Sequence, residues 1–342
     1  MQVAIIGITG YAGSTLYELL KKHSQVNQIN LYGHNLSKPT QLNQINDEFS
    51  YDQHLVFPYD ENVIIKDNDA VFFATPAGVT SKIAKPFIKA DLPVIDLSGD
   101  YRLKDPDEYT KWYQKDAASL ADLQKAQYCL ADIDDNPKAK YIANPGCYAT
   151  AVLLGLAPVV MEDLIDLDSI VIDAKSGLSG AGKSLSDSSH FVMANENLQV
   201  YKPHEHKHIP EIVQKLQFWN ENVKNIEFMT TLVPLNKGIM CTMFMKLKSN
   251  IEMDKVQHAF DSLYANSSFV HVSMDELPTI KSVVGTNECH VGLSFNSSNN
   301  TLMIVSVIDN MIKGAAGQAI QNFNHLFNFD ENDGLELMHV LP

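Results

Sequence analysis

The sequence predicts an α/β chain in two parts: a parallel sheet with helices on both faces, then an α+β segment with a mostly antiparallel sheet. Three observations carry this expectation. Apolar strands alternate with helical patterns as far as about Cys147. Beyond it, β-rich runs alternate apolar and polar residues and follow one another closely. A glycine-spaced turn joins the first strand to the first helix.

Taken in order, Gln2–Gly7 reads as a buried strand, Ser14–Lys22 as a helix and Gln28–Tyr32 as the next strand. Ala70–Thr75 and Val94–Ser98 are later strands with a helical stretch between them. Ala149–Val160 reads as a helix that opens the second part. Ser169–Ala174, Glu227–Leu235, Ile239–Lys248 and Leu302–Ile308 are β-rich, and the polar run Asn296–Asn300 marks a hairpin. Lys313–Phe327 is helical and is expected to return to the first part. The expected domains are therefore 1–147, completed by a C-terminal helix over 313–342, and a catalytic and oligomerisation domain over 148–312.

Composition narrows the classes of function. The 342 residues are 45% hydrophobic and 20% charged, ordinary for a globular protein of two domains. A net charge of −15 disfavours nucleic acid or an anionic membrane as partner. No apolar run is long enough for a bilayer, and the opening residues form a strand pattern without a basic leader. Four cysteines without a Cys-x-x-Cys pair argue against zinc ribbons and disulfide scaffolds, and fit a reducing cytoplasm. Arg102 is the single arginine, which suits a planar two-pronged donor; compositional drift is the alternative.

Gly7-Ile8-Thr9-Gly10-Tyr11-Ala12-Gly13 lies between strand and helix, where Gly7, Gly10 and Gly13 let a backbone turn tightly under a pyrophosphate. A plain tight turn is the alternative. No Asp or Glu closes the second strand; Ser37 and Lys38 follow instead and suit a 2′-phosphate, so NADP is expected over NAD. Thr75 and Pro76 end a further strand on the nucleotide side of the sheet.

Cys147 follows Asn144-Pro145-Gly146 at the point where a strand stops and a helix begins. A helix N-terminus presents bare N–H groups that lower a thiol's pKa and hold an oxyanion. The bland reading is a buried structural thiol. Pro203-His204-Glu205-His206-Lys207-His208 reads as an extended segment whose alternate histidines share one side. A three-histidine metal site is disfavoured for want of a further ligand at usual spacing; one histidine as acid/base is favoured, and a solvated loop stays open. Ser176-Gly177-Leu178-Ser179-Gly180-Ala181-Gly182-Lys183 is a second Gly/Ser loop, either an anion nest or a plain crossover. Ser98 and Arg102 lie beyond a strand's carboxyl end, placed to grip an acyl phosphate or a carboxylate.

At these residues the chain resembles the N-acetyl-γ-glutamyl-phosphate reductases. The carrying segments are Gly7–Gly13, Asp96–Leu103, Ala143–Ala151, Ser176–Lys183, His206–Ile212 and Asn310–Gln321. The family usually has Pro at Ala149, Arg at Lys207 and Thr at Ile209. The resemblance implies a Rossmann domain and a catalytic domain like that of glyceraldehyde-3-phosphate dehydrogenase. It also implies NADPH reduction of N-acetyl-γ-glutamyl phosphate through a cysteine thioester, in arginine biosynthesis. Cys147 is then the nucleophile, with His206 or His208 as acid/base. The expected NADP contacts are Gly7, Thr9, Gly10, Tyr11, Ala12, Gly13, Ser37, Lys38, Thr75 and Pro76, with Ser176, Gly177, Ser179, Gly180, Asn310, Lys313 and Gly314 from the second part. Ser98, Arg102, Asn144 and Lys183 are expected on the substrate, with no metal. A cytoplasmic homodimer or homotetramer is expected. The alternatives are a sister reductase of aspartyl or carrier-linked aminoadipyl phosphate, and a non-catalytic NADP-binding regulator.

Overall fold

The computed structural model describes residues 1–34 and 36–340. The chain forms two compact units: Met1–Pro145 with Ala315–Glu336, and Gly146–Gly314 with the tail from Leu337.

The first unit is built on eight strands: β1 (Gln2–Ile6), β2 (Gln28–Gly33), β3 (Thr40–Gln41), β4 (Leu55–Pro58), β5 (Ala70–Phe73), β6 (Val94–Asp96), β7 (Ala126–Tyr128) and β8 (Tyr141–Ala143). Their order is β3-β4-β2-β1-β5-β6-β8-β7, parallel except for β3 against β4. Helices α1 (Tyr11–Leu20), α2 (Glu61–Asp67), α3 (Thr80–Ile83), α4 (Lys85–Lys89), α5 (Pro106–Tyr113) and α6 (Leu120–Leu123) connect them. Val3–Ile6 and Ala70–Phe73 are buried on both faces, as strands covered by helices must be. β1 pairs with β2 on one side and β5 on the other, so the winding reverses there. The crevice beyond the carboxyl ends of β1 and β5 is where such sheets bind nucleotides.

The second unit carries β9 (Val171–Ser176), β10 (Gln199–Tyr201), β11 (Glu227–Leu232), β12 (Ile239–Lys246), β13 (Val270–Ser273), β14 (Cys289–Asn296) and β15 (Thr301–Ile308). Their order is β10-β11-β9-β12-β15-β14-β13. β9 runs parallel to β11 and β13 to β14; the other pairs are antiparallel. Its helices are α7 (Cys147–Met161), α8 (Phe191–Ala194), α9 (His208–Trp219) and α10 (Met253–Tyr264). Tyr148–Val160 of α7 are all buried, so this helix is apolar all round and lies in the core. Pro158 sits inside it and brings no N–H for the Leu154 carbonyl four residues back. The Tyr264 hydroxyl of α10 donates to that carbonyl instead, at 2.5 Å. The chain then returns to the first unit as α11 (Gly317–Phe327).

Three expectations need correction. The first helix opens at Tyr11, not Ser14, because the glycine turn leads straight into it. The C-terminal helix does not run over 313–342. Ile312–Ala316 form a π-helical turn, α11 ends where Asn328 turns left-handed at φ 55, and residues 328–340 are not helical. Residues 341–342 of that expectation lie outside the described residues. Finally, His204–His208 is not extended: Lys202 and His204 have φ of 44 and 59, which breaks the alternation that would put three histidines on one side.

Candidate active site

The nucleotide turn of the first unit is shaped by close backbone approach. Gly7 takes φ +108, and a Cβ there would overlap the Ala74 carbonyl; one on Gly13 would overlap the Gly7 carbonyl. Gly10 differs: nothing in the protein comes nearer its absent Cβ than 3.8 Å. Packing demands glycine at 7 and 13, while at 10 the missing side chain leaves space for a ligand. Gly10 caps α1 with no side-chain hydrogen bond, so the first N–H groups stay available for a phosphate. Ser14 Oγ fastens the turn, donating to Ile8 O (3.1 Å) and accepting from Asn46 Nδ2 (3.0 Å). Thr9 is exposed; Tyr11 and Ala12 are half-buried. Ser37 and Lys38 are exposed in the loop after β2, and Asn35 of that loop lies outside the described residues. Thr75 Oγ1 bonds Thr80 Oγ1 at 2.6 Å, and Pro76 beside it is exposed.

The strand ends at β6 and β8 hold a polar knot. Asp96 is fully buried and accepts from Ser98 N (2.8 Å), Ser98 Oγ (3.0 Å) and Tyr141 Oη (2.8 Å). Burial, then the nearby Asp100, pushes its carboxyl up to about 7. Arg102 donates from Nε to Asn144 O (2.9 Å) and from Nη2 to Leu97 O (2.8 Å). Asn144 is wholly buried, with Nδ2 on Ala315 O (3.1 Å) and Oδ1 taking Asn322 Nδ2 (2.9 Å). Ser98 and Asn144 are therefore held in place by the protein: Ser98 by Asp96, and Asn144 by Ala315 and Asn322. Arg102, 6% exposed, ties the same loops together.

In the second unit Cys147 is the first residue of α7, behind an N-cap Gly146 with no side-chain cap. It is partly exposed, whereas Cys129, Cys241 and Cys289 are buried. Burial pushes the Cys241 thiol well up, so that cysteine stays protonated. Gly146 N–H donates to Glu211 Oε1 at 2.7 Å, and Glu211 has no exposed surface. Gly314 closes in from the π-turn: a Cβ there would stand 2.7 Å from Cys147 Cβ. Turns of this kind gather at functional sites.

His206 and His208 come together at the start of α9, both nearly buried, with rings edge to face at 4.8 Å between centroids. His204 is exposed and pairs with Glu227 at 3.3 Å, so the three histidines do not converge. Burial, with Lys207 and Lys202 adding to it, lowers His206 to about 3, so it is neutral at pH 7. Its Nδ1 accepts the His208 N–H at 3.2 Å, which leaves the proton on Nε2. Tyr148, next to the thiol, packs against both rings, at 5.3 and 6.0 Å, and its hydroxyl accepts from Tyr201 at 3.1 Å.

The Gly/Ser loop meets Asn310 in the same unit. Asn310 Nδ2 donates to Ser179 Oγ (2.9 Å), and its Oδ1 takes the Gly238 N–H (2.7 Å). Ser176 Oγ lies 3.2 Å from where a Cβ on Gly180 would be. Gly177 is buried, and Lys183 is exposed beyond the loop. Lys313 is fully buried with its ammonium 5.1 Å over the Phe269 ring, a core position rather than an open one.

Sequence reasoning passed over Glu211, Tyr148 and Asp96. Glu211 offered a signal: it is one turn past His208 on the helix face that also carries Ile212, Lys215 and Leu216, and a carboxylate on a face that turns inward needs a partner to hold.

Residues 2–166 match the family model for the semialdehyde dehydrogenase NAD binding domain, and residues 147–310 that for the semialdehyde dehydrogenase dimerisation domain. N-acetyl-gamma-glutamyl-phosphate reductase of Limosilactobacillus fermentum is 54% identical over 342 residues, covering 100% of both chains. N-acetyl-gamma-glutamyl-phosphate reductase 2 of Lactiplantibacillus plantarum is 50% identical, again over 100% of both. Among solved structures, aspartate semialdehyde dehydrogenase II of Vibrio cholerae, complexed with ASA, matches at TM-score 0.70 with 18% identity, covering 96% of this chain and 98% of that one. The Candida albicans aspartate semialdehyde dehydrogenase with NADP matches at 0.71 with 16% identity, covering 95% and 98%. The solved structures speak for the fold, and the full-length curated relatives for the family. The chain belongs to the N-acetyl-gamma-glutamyl-phosphate reductases, within the semialdehyde dehydrogenase family.

Proposed function

We propose that the chain reduces N-acetyl-γ-glutamyl phosphate to N-acetyl-glutamate 5-semialdehyde and phosphate with NADPH, as a step of arginine biosynthesis. The observation that carries this reading is Cys147, the one partly exposed thiol, at the uncapped start of α7 with a buried histidine pair in the same unit. Bare N–H groups there favour the thiolate and an oxyanion.

The Cys147 thiolate adds to the acyl carbon, and the carbon–oxygen bond to phosphate breaks, leaving a thioester and free phosphate. NADPH supplies the hydride that reduces this thioester. His208 gives a proton to the resulting alkoxide and takes it back as the carbon–sulfur bond breaks, so the aldehyde leaves and the thiolate returns. Neutral His206 holds the His208 backbone in place through Nδ1. Glu211 fixes the Gly146 amide and with it the entry to α7.

The NADP pyrophosphate is assigned to the turn at Gly10 and the start of α1, with Ser37 and Lys38 on the 2′-phosphate. Asn310 and the Ser176–Gly180 loop are assigned to the nicotinamide end, and Lys183 to the substrate. Two copies are assigned to join through the second unit, where Val171, Met229 and Phe244 share one partly exposed face of the sheet. Among the described residues no helix is long and apolar enough to cross a membrane; the chain is assigned to the cytoplasm.

Phosphate-dependent reduction of NADP⁺ tests the reading, with N-acetyl-glutamate semialdehyde and aspartate semialdehyde compared side by side. Turnover of the acetylated substrate alone is expected. Preference for the aspartyl compound would move the chain to the sister activity, and no turnover of either would favour a non-catalytic NADP-binding regulator.

A further inference from the structure

Away from the thiol, a second group of ligating side chains gathers at one edge of the second unit's sheet. His271 on β13 and His290 on β14 are register partners. Their side chains therefore leave the sheet on one face. The two rings meet edge to face, 5.3 Å between centroids. Glu288 stands two residues before His290, and its Oε2 lies 2.8 Å from His290 Nε2. One ligand atom from each of His271, Glu288 and His290 lies within 4.8 Å of the other two.

The chain's tail brings a fourth donor. His339 Nε2 lies 3.9 Å from the other Glu288 oxygen. The main chain seats the tail there: Val340 N–H reaches Val284 O at 3.4 Å. Gly285 leaves room for it, since a Cβ there would stand 2.7 Å from Val340 Cγ2. A simple hydrogen-bonded pair accounts for Glu288 with His290. It does not account for two more imidazoles arriving from a neighbouring strand and from the far end of the chain.

We propose that His271, Glu288, His290 and His339 form a zinc site that clips the C-terminal tail to the edge of the sheet. Zn²⁺ takes imidazole nitrogen and carboxylate oxygen at about 2.0–2.2 Å in a tetrahedron, which sets its donors roughly 3.4 Å apart. The spacings here, from 2.8 Å to 4.8 Å, lie on both sides of that value. All four side chains keep some solvent exposure, so rotation about side-chain bonds can close the cage and an ion can enter. Three neutral imidazoles and one carboxylate would leave the site one positive charge, on a chain whose net charge is −15. Four protein ligands leave no open position for water, so the ion staples rather than catalyses.

The test uses full-length Cys147→Ser protein, stripped with EDTA and dialysed, so that the reactive thiol cannot compete for metal. Titration with Zn²⁺ is expected to show one bound equivalent and a higher Tm. Co²⁺ is expected to give the intense visible absorption of a tetrahedral nitrogen–oxygen site. Adding His271→Ala and His290→Ala should abolish both signals, and adding His339→Ala alone should weaken binding by about tenfold or more. Zn²⁺ should also slow carboxypeptidase removal of the tail in the parent but not in the His339 variant. Absence of a bound equivalent in the parent overturns the proposal, as does equal binding by the double variant. Melting in EDTA checks that each variant folds; if the double variant does not, the exposed His271→Asn takes its place and must lose the Co²⁺ signal. The site does not depend on the substrate reading, so an inactive chain that binds Zn²⁺ in this way would leave it standing.

Discussion

Two helices of this chain begin in almost the same way and are used differently. α1 starts behind Gly10 at φ −86, ψ 159; α7 starts behind Gly146 at φ −75, ψ 155. Neither N-cap carries a side chain that could satisfy the helix, so each presents bare N–H groups and the positive end of a helix dipole. At α1 the absent Cβ of Gly10 faces open space. At α7 the Gly146 N–H is taken by a buried carboxylate, and the first helical residue is a thiol. One backbone solution thus serves a diffusible anion in one place and a covalent nucleophile in the other. The side chain at the first helical position, and what the preceding amide bonds to, decide between them.

The sharpest way to break this comparison is to remove the thiol. Cys147→Ser is expected to lower kcat by about 10³-fold or more, since serine at that position lacks an ionisable thiol. Fluorescence titration should find its NADPH affinity within about twofold of the parent, because uniform binding is untouched. Near-normal turnover in this variant would refute the covalent role.

Next comes the carboxylate behind α7. Glu211→Ala leaves the Gly146 N–H buried without its acceptor, at an expected cost of about 1–3 kcal/mol in urea unfolding. Glu211→Gln keeps an oxygen acceptor there and should recover most of that loss. If both variants unfold alike, the hydrogen bond does not hold the start of α7.

The α1 end should respond in the opposite sense. A methyl group at Gly10 meets nothing in the protein, so Gly10→Ala should keep its stability within about 0.5 kcal/mol. Its KM for NADPH is nevertheless expected to rise by about tenfold, as the pyrophosphate loses its close approach. Gly13→Ala, whose new Cβ would overlap the Gly7 carbonyl, should instead lose stability first. Equal effects from the two substitutions would end the distinction drawn here.

The smallest expected effect is on pH dependence, where the two units carry opposite slopes. Between about 3 and 6.5 the unfolded chain binds a proton that folded His206 refuses. Stability from this group is therefore present above 6.5 and is lost as the pH falls. Between 3.8 and about 7 folded Asp96 keeps a proton that the unfolded chain has shed. Its contribution is full below 3.8 and is lost as the pH rises. Urea midpoints at acid and neutral pH should show His206→Gln gaining on the parent in acid, and Asp96→Asn gaining at neutral pH. Comparing each variant with itself at the two pH values cancels the fixed cost of the substitution.

Much of the fold was legible because its signals are local. β1, the glycine turn, β5, β6 and the β14–β15 hairpin follow from runs of apolar residues and their punctuation. The histidine segment was misread because alternation assumes an extended chain, and left-handed turns at Lys202 and His204 undo it. The end of the helix reading Lys313–Phe327 matches α11, and the mostly polar run Asn328–Gly334 marks it; only the domain bound, which carried a helix on to 342, overran that break. In the site, Cys147 and the two histidines were visible as residue types. Glu211 was not, because its value lies in a partner 65 positions away. Ser98 and Asn144 are read as substrate contacts because they lie just beyond strand ends, where open α/β sheets bind ligands. Asn144 bonds Ala315 and Asn322, 171 and 178 positions away, which no pattern along the chain encodes, whereas the Ser98 bonds to Asp96 span two residues and follow from an Asp-x-Ser turn.

The burial of three cysteines out of four has a practical use. A maleimide dye offered to the native protein should find one address per chain. Moles of label incorporated then count competent centres directly, without any assay of turnover. Dividing velocity by that count, rather than by total protein, separates a sluggish preparation from a partly dead one.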